Sequence, residues 1–281
     1  MYHKHRTTCK SDSICFSIKM MKPSSELRQK WNNVGENVPV IHIFGRAYTC
    51  PGGSPFSIKL ETYLRMTEVK FEPEFDHPFG PKGKCPWITL NGKEIADSQL
   101  AIEEIVKANG KEIDPHLSPE EKAVARAMAV TLEERFYWII ALDRVVFNKG
   151  KHMPEFLPPM IKPAFMNGLM VNYIARQVKG QAQQHGIGRH SREEIEKIGL
   201  ADLEAFSAFL GNKPFMMGEQ PSLVDASLFS MIVLVLYTTP EDNFLKKKVE
   251  GELPNLKAFV ERMKERFWPD WEDCCAKRAS D

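Results

Sequence analysis

An α/β N-terminal half followed by an all-α C-terminal half is the fold class that the sequence predicts. Two observations predict it. Over residues 38–110, short strand-length runs alternate with two helix patterns, and from Ser118 onward every long segment carries helical spacing. At 281 residues the chain has room for two modest domains, and its 43% hydrophobic and 27% charged content is that of an ordinary globular protein. The 38 Lys and Arg nearly balance 37 Asp and Glu, so no basic field points to nucleic acid. The longest apolar run, residues 223–237, is broken by Asp225, Ser227 and Ser230. It falls short of the ~20 residues that a membrane-spanning helix needs, so no transmembrane segment is expected. The six cysteines contain no CxxC pair, which argues against a disulfide framework or a structural zinc site and for a reducing, cytoplasmic setting.

Taken in order, residues 1–37 hold seven Lys or Arg against three acidic residues and no continuous apolar stretch of the signal-peptide kind. They are expected to form a flexible basic arm. His3, His5 and Cys9 lie within it without a fourth ligand, so no metal is expected there. Residues 38–44 (VPVIHIF), ended by Gly45, suit a buried strand. After a loop rich in Pro and Gly, Phe56, Leu60, Tyr63 and Leu64 fall on one helical face. Val69, Phe71, Pro73 and Phe75 then alternate with charged residues, as an edge strand does. Residues 87–90 and 93–96 flank Asn91-Gly92, the dipeptide best suited to the positive φ angles of a type I′ hairpin. Asp97-Ser98 opens a helix that stops near Asn109-Gly110. The order β-α-β then β-β-α is that of a thioredoxin-like domain. A linker over residues 111–117 leads to the helical domain, residues 118–273, with a tail at 274–281. Ser118-Pro119-Glu120-Glu121 and Ser191-Arg192-Glu193-Glu194 are capping boxes. Gly80-Pro81-Lys82-Gly83-Lys84 lacks the spacing of a phosphate-binding loop.

Three motifs, SPFSIKLETYLRM, KGKCPWITLNGKEIADSQLAIEEI and MGEQPSLVDASL, match in order those of the glutathione transferase fold. Together with LSPEEKAVARAMAVTLEERFYW, they resemble most the failed axon connections proteins and their metaxin-like and cadmium-responsive relatives. The resemblance covers residues 38–271. It implies a glutathione transferase-like architecture with glutathione as co-substrate and no other cofactor, acting on small electrophiles. The same resemblance implies, as the alternative, a scaffold without enzymatic activity that works through protein partners, a homodimer or a membrane surface.

The residues themselves leave the site open. Ser54 is placed to be the N-cap of the first helix with Pro55 at its first position, which by itself is ordinary helix chemistry. The resemblance makes Ser54 the hydroxyl that holds a thiolate beside the positive helix end. Tyr48 is a phenol alternative in the same loop, and Cys50 a thiol alternative that would form a mixed disulfide. The resemblance also implies a cis peptide bond at Cys85-Pro86, exposing backbone to a glutathione cysteinyl group, and a γ-glutamyl site at Asp97 and Ser98. Asp97 and Ser98 read equally well as two capping residues. Ser222 and Asp225 match the internal capping box of the fold and are expected to serve stability. Glu133 and Glu134 read as a charged helix face, and Phe136, Tyr137 and Trp138 as core or pocket lining.

Overall fold

The computed structural model describes residues 23–158 and 167–277. A four-stranded mixed sheet opens the fold: β1 (Val40–His42), β2 (Glu72–Glu74), β3 (Trp87–Leu90) and β4 (Lys93–Ala96), in the spatial order β2-β1-β3-β4. β1 and β2 run parallel, which requires a crossover, and the helix Pro55–Met66 supplies it. β3 lies antiparallel to β1 and to β4. Asn91 and Gly92 adopt φ 48° and 80°, the left-handed pair that a two-residue hairpin needs.

Alternation along the strands divides the sheet into two faces. Ile41, Ile43, Ile88 and Leu90 bury Leu60, Tyr63, Leu64, Ala101, Ile102 and Ile105 from the two helices that follow β1 and β4. His42, Trp87 and Val40 point the other way. No helix occupies residues 75–86 to cover that face. A helix from the expected arm does so instead. Residues 1–22 lie outside the described residues, but Ser25–Asn32 forms helix α1, capped by the Ser24 hydroxyl, and Trp31 packs on Val40, Trp87 and Ala96. This corrects the expectation of a flexible arm reaching residue 37. Burial of Trp31, a large apolar ring, offsets part of the cost of ordering the short helix.

The helix Pro55–Met66 is α2 and Ser98–Asn109 is α3, the latter closed by Gly110 at φ 66°. The second half is helical throughout the described residues. α4 (Pro119–Val130) continues through a π-helical stretch, Thr131–Phe136, into α5 (Tyr137–Ala141) and a second π-helical stretch, Leu142–Phe147. α6 (Met153–Phe156), α7 (Asn167–His185), α8 (Arg192–Leu210), α9 (Leu223–Tyr237), α10 (Phe244–Glu252) and α11 (Pro254–Phe267) complete the order. α9 is buried over nearly its whole length and packs against α2, so one apolar helix joins the two halves. Both expected capping boxes, at Ser118 and Ser191, are closed. At Ser222 the carboxylate does more of the work: Asp225 accepts from the Ser222 and Met216 N–H groups and from the Ser222 hydroxyl. The expected tail is anchored where it begins, with Cys274 buried and the Ala276 N–H bonded to the Ala47 carbonyl at 2.7 Å.

Candidate functional site

The carboxyl end of β1, the start of α2, the approach to β3 and the start of α3 meet at one end of the sheet. The peptide bond Cys85-Pro86 is cis. The Pro86 carbonyl accepts the Asp97 N–H at 3.4 Å, and the Cys85 thiol lies 3.5 Å from the hydroxyl of Ser57 in the first turn of α2. Lys59, one turn further along α2, reaches Gln99 of α3 at 3.2 Å. A chain of contacts therefore ties Ser57, Cys85, Pro86 and Asp97 around one edge.

Ser54 is the N-cap of α2, but its side chain makes no capping bond. Pro55 at the first helical position removes one N–H, and Ser54 keeps a half-buried hydroxyl that no described residue engages. The positive end of a twelve-residue helix faces it. Gly53, just before, admits no larger residue freely, since a Cβ there would come within 2.8 Å of Leu157.

Asp97 holds φ 96° and ψ 130°, a conformation that costs a non-glycine residue on the order of 1–3 kcal/mol. Its carboxylate accepts from the Gln99 N–H at 3.0 Å and, at the limit of a bond, from Leu100 at 3.5 Å. Lys84 approaches to 3.8 Å. Ser98 beside it is buried. The capping reading of Asp97 is thus real, while the unusual backbone is more than a cap requires.

The two cysteines behave differently from nucleophiles. Cys50 is fully buried among Ala47, Ile58 and the helical core, its thiol donating to the Gly52 carbonyl at 3.2 Å. Burial pushes that thiol up to about 12. A thiolate is the reactive form, so Cys50 is a packing residue and the expectation of a mixed disulfide there is corrected. Burial likewise raises Cys85 to about 11, partly offset by Ser57 and the Phe44 N–H. Tyr48 is half-buried in the loop, held through its N–H on the Phe156 carbonyl at 2.8 Å.

The helical half packs against this edge. Tyr137 packs on Phe56 of α2 in a tilted pair with centroids 4.9 Å apart, and Trp138 stands 5.2 Å from Tyr137. Arg144, in the second π-helical stretch, reaches the Gly53 carbonyl at 3.4 Å. Glu133 is not part of a solvated face. It pairs with the buried Lys59 at 2.7 Å and accepts the Ser227 hydroxyl at 2.6 Å. Sequence reading missed Lys59, Glu133 and Arg144 because nothing in their local patterns distinguishes them from surface charges. Among the described residues no group of His, Cys, Asp or Glu could hold a metal ion, and no helix is long and apolar enough to cross a membrane. His3, His5 and Cys9 lie outside the described residues.

Comparison with known proteins agrees with this architecture. The glutathione S-transferase N-terminal domain family matches residues 55–150, and the C-terminal domain family matches residues 199–263. The protein called Failed axon connections from Drosophila melanogaster is 31% identical, over 95% of this chain and 68% of its own length. The chain belongs to the failed axon connections family of glutathione S-transferase-like proteins. Other relatives include two kinds of protein. An isoprene-epoxide glutathione S-transferase from a Rhodococcus strain is 28% identical over 79% of this chain and 95% of its own. Human metaxin-2 is 25% identical over 68% of this chain and 72% of its own. In fold, this family member resembles the crystal structure of a beta-etherase from a Sphingobium strain, with TM-score 0.57 and 15% identity, covering 82% of this chain and 98% of that one.

Proposed function

We propose that the cleft binds glutathione or a related thiol and that Ser54 polarises the thiol for conjugation to a small electrophile. The observation that carries this reading is the unspent Ser54 hydroxyl at the positive end of α2, on the same edge as the cis Cys85-Pro86 bond and the strained Asp97. A hydroxyl so placed donates to a thiolate and favours it over the thiol. The backbone beside Pro86 would pair with the cysteinyl peptide of glutathione. Asp97 would meet its ammonium group, and the Ser98 hydroxyl with the α3 N–H groups its carboxylate. The thiol proton passes to solvent water, and the thiolate sulfur supplies the electron pair of the new C–S bond. The departing oxygen or halide leaves with its own pair, an alkoxide then taking a proton from water. Four cysteines among the described residues are free thiols, in keeping with action in the cytoplasm.

Calorimetric titration of glutathione into the purified chain tests this. Binding at millimolar ligand is expected for the wild type, with at least about tenfold weaker binding for Asp97→Ala. Conjugation of a generic electrophile should fall by roughly a hundredfold in Ser54→Ala, the scale of losing one positioned donor. An absence of glutathione binding at millimolar ligand would end the enzyme reading. Loss of conjugation in Tyr48→Phe, with Ser54→Ala unaffected, would move the donor to Tyr48.

A second reading draws on two observations. Human metaxin-2 is among the relatives, and an Arabidopsis thaliana relative, 24% identical, is named as a mitochondrial outer membrane import complex protein. In addition, Phe75 and Phe79, on the approach to β3, are 39% and 43% exposed. Under this reading the fold is a scaffold whose partners are proteins or a second copy of the chain. Glutathione binding without turnover of any electrophile would favour it.

A further inference from the structure

We infer that the cleft beside Ser54 contains a site for the carboxylate of a small aromatic acid, formed by Arg144 and Tyr137. Arg144 is half-buried, and among the described residues its side chain makes one hydrogen bond, to the Gly53 carbonyl at 3.4 Å, which is long and engages one of five N–H donors. Among the described residues no carboxylate lies within ion-pair distance of it. Other arginines at the domain boundary are served differently: Arg46 pairs with Glu61 at 2.6 Å and Arg65 with Asp270 at 2.5 Å. The adjacent acid, Asp143, is turned to the side-chain amides of Asn148 and Asn243 at 3.1 and 2.7 Å. A guanidinium withdrawn from water without a counter-charge is costly, and its planar fork matches a carboxylate.

Tyr137 sits seven residues earlier on the same continuous helix, two turns along and therefore on the same side. Its phenol senses the Arg144 charge and makes no hydrogen bond among the described residues. Phe56 packs on one side of the Tyr137 ring and Trp138 meets it edge to face, so the two polar groups stand in aromatic surroundings. Gly53, which Arg144 touches, and Phe56, which Tyr137 covers, flank Ser54 on either side. The carboxylate of a bound acid would accept from the guanidinium and the phenol while its ring lies against Phe56 and Trp138. Turnover of such an acid rests on the transferase reading. Its binding does not.

The full chain is titrated by calorimetry with trans-cinnamate and with the neutral cinnamamide, and in parallel with glutathione. Cinnamate should bind about tenfold or more tightly than cinnamamide. Arg144→Gln should abolish that preference and leave cinnamamide unchanged. Arg144→Lys should retain part of it, and Tyr137→Phe should weaken cinnamate several-fold only. Equal affinities in the wild type, no binding of either probe at millimolar concentration, or a preference that survives Arg144→Gln would each overturn the site. Should Arg144→Gln fail to fold, the wild-type preference and Tyr137→Phe decide. Glutathione binding without cinnamate preference would leave the transferase reading standing, and cinnamate preference without glutathione binding would leave only the acid site.

Discussion

Ser54 begins α2 without a side-chain capping bond, and this separates the residue's cost in stability from the role in chemistry proposed for it. An N-cap serine whose oxygen accepts a first-turn N–H is worth ~1 kcal/mol, whereas a hydroxyl with no capping bond has little to lose. Ser54→Ala is therefore expected to keep its unfolding free energy within about 0.5 kcal/mol of the wild type by denaturant titration, although conjugation collapses. Asp97 is the reverse. Its carboxylate caps α3 while its backbone is strained, so Asp97→Ala loses the cap, about 0.5–2 kcal/mol, and keeps the strain. Asp97→Gly loses the same cap but relieves the backbone, and should be the more stable of the two variants. Equal stability of the pair would show that φ 96° stores no energy.

At the scale of elements, α1 and the outer face of the sheet form one titratable unit. His42 is fully buried, stacked on Trp87 at 3.6 Å with Trp31 at its edge. Its Nδ1–H donates to Glu74 and its Nε2 accepts from the Thr89 hydroxyl, each at 3.0 Å. His77 shares Glu74 through the other carboxylate oxygen at 3.1 Å. Burial holds His42 below its ordinary value of 6.5, against the opposing pull of Glu74. Glu74 is pushed from 4.5 to about 2, because hydrogen bonds from both histidines and from the backbone outweigh the cost of burial. In both cases the unfolded chain takes up the proton first, so stability is present above the unfolded pKa and declines with acid. The decline begins below pH 6.5 through His42 and continues from 4.5 toward 2 through Glu74, which accounts for up to about 3 kcal/mol. Glu74→Gln should flatten the lower limb in thermal melts recorded against pH.

Asp225, at the start of α9, acts in the opposite sense. Burial raises its carboxyl from 3.8 to about 6 despite three hydrogen bonds. The folded chain holds this proton longer than the unfolded one, so its contribution is greatest below 3.8 and fades as pH rises through 6. Replacing it removes the acceptor for two buried N–H groups. Asp225→Ala is expected to cost roughly 2 kcal/mol or more, read from chemical unfolding at pH 7.

Across the whole molecule, buried charges rather than apolar contacts alone lock the two halves in register. Lys59 of α2 is 1% exposed and meets Glu133 of the helical half, which Ser227 of α9 also binds. Removing one partner strands a buried charge. Lys59→Met should cost about 3–5 kcal/mol, while Lys59→Met with Glu133→Leu should recover most of it, a coupling that a double-mutant cycle measures. Additive losses would mean that the pair contributes no more than its packing. A second junction runs from Arg46 through Glu61 and Arg65 to Asp270, with Arg65 lying 3.9 Å over Trp268. Because these ties sit on α2, the helix that carries Ser54, the site and the domain contact share one rigid element.

Local chemistry was enough to locate most elements of this fold, α1 excepted. The Asn91-Gly92 turn, the hairpin strands around it, α3 between Asp97 and Gly110, the capping boxes and the apolar α9 all follow from turn geometry, periodicity and caps, which act within a few residues. Pro51, Gly52, Gly53 and Pro55 also leave no helix start before Ser54, which puts Ser54 and not Cys50 at the helix end. The rest depends on residues far apart in the chain. That Ser54 withholds its hydroxyl, that Asp97 bends to φ 96°, that Cys50 is shut into the core, that Trp31 brings α1 onto the sheet, and that Lys59 meets Glu133 and Arg144 meets Gly53 are outcomes of packing. A charged side chain has the same local signature whether it faces water or a partner a hundred residues away, and only the assembled fold sets its dielectric surroundings and its neighbour.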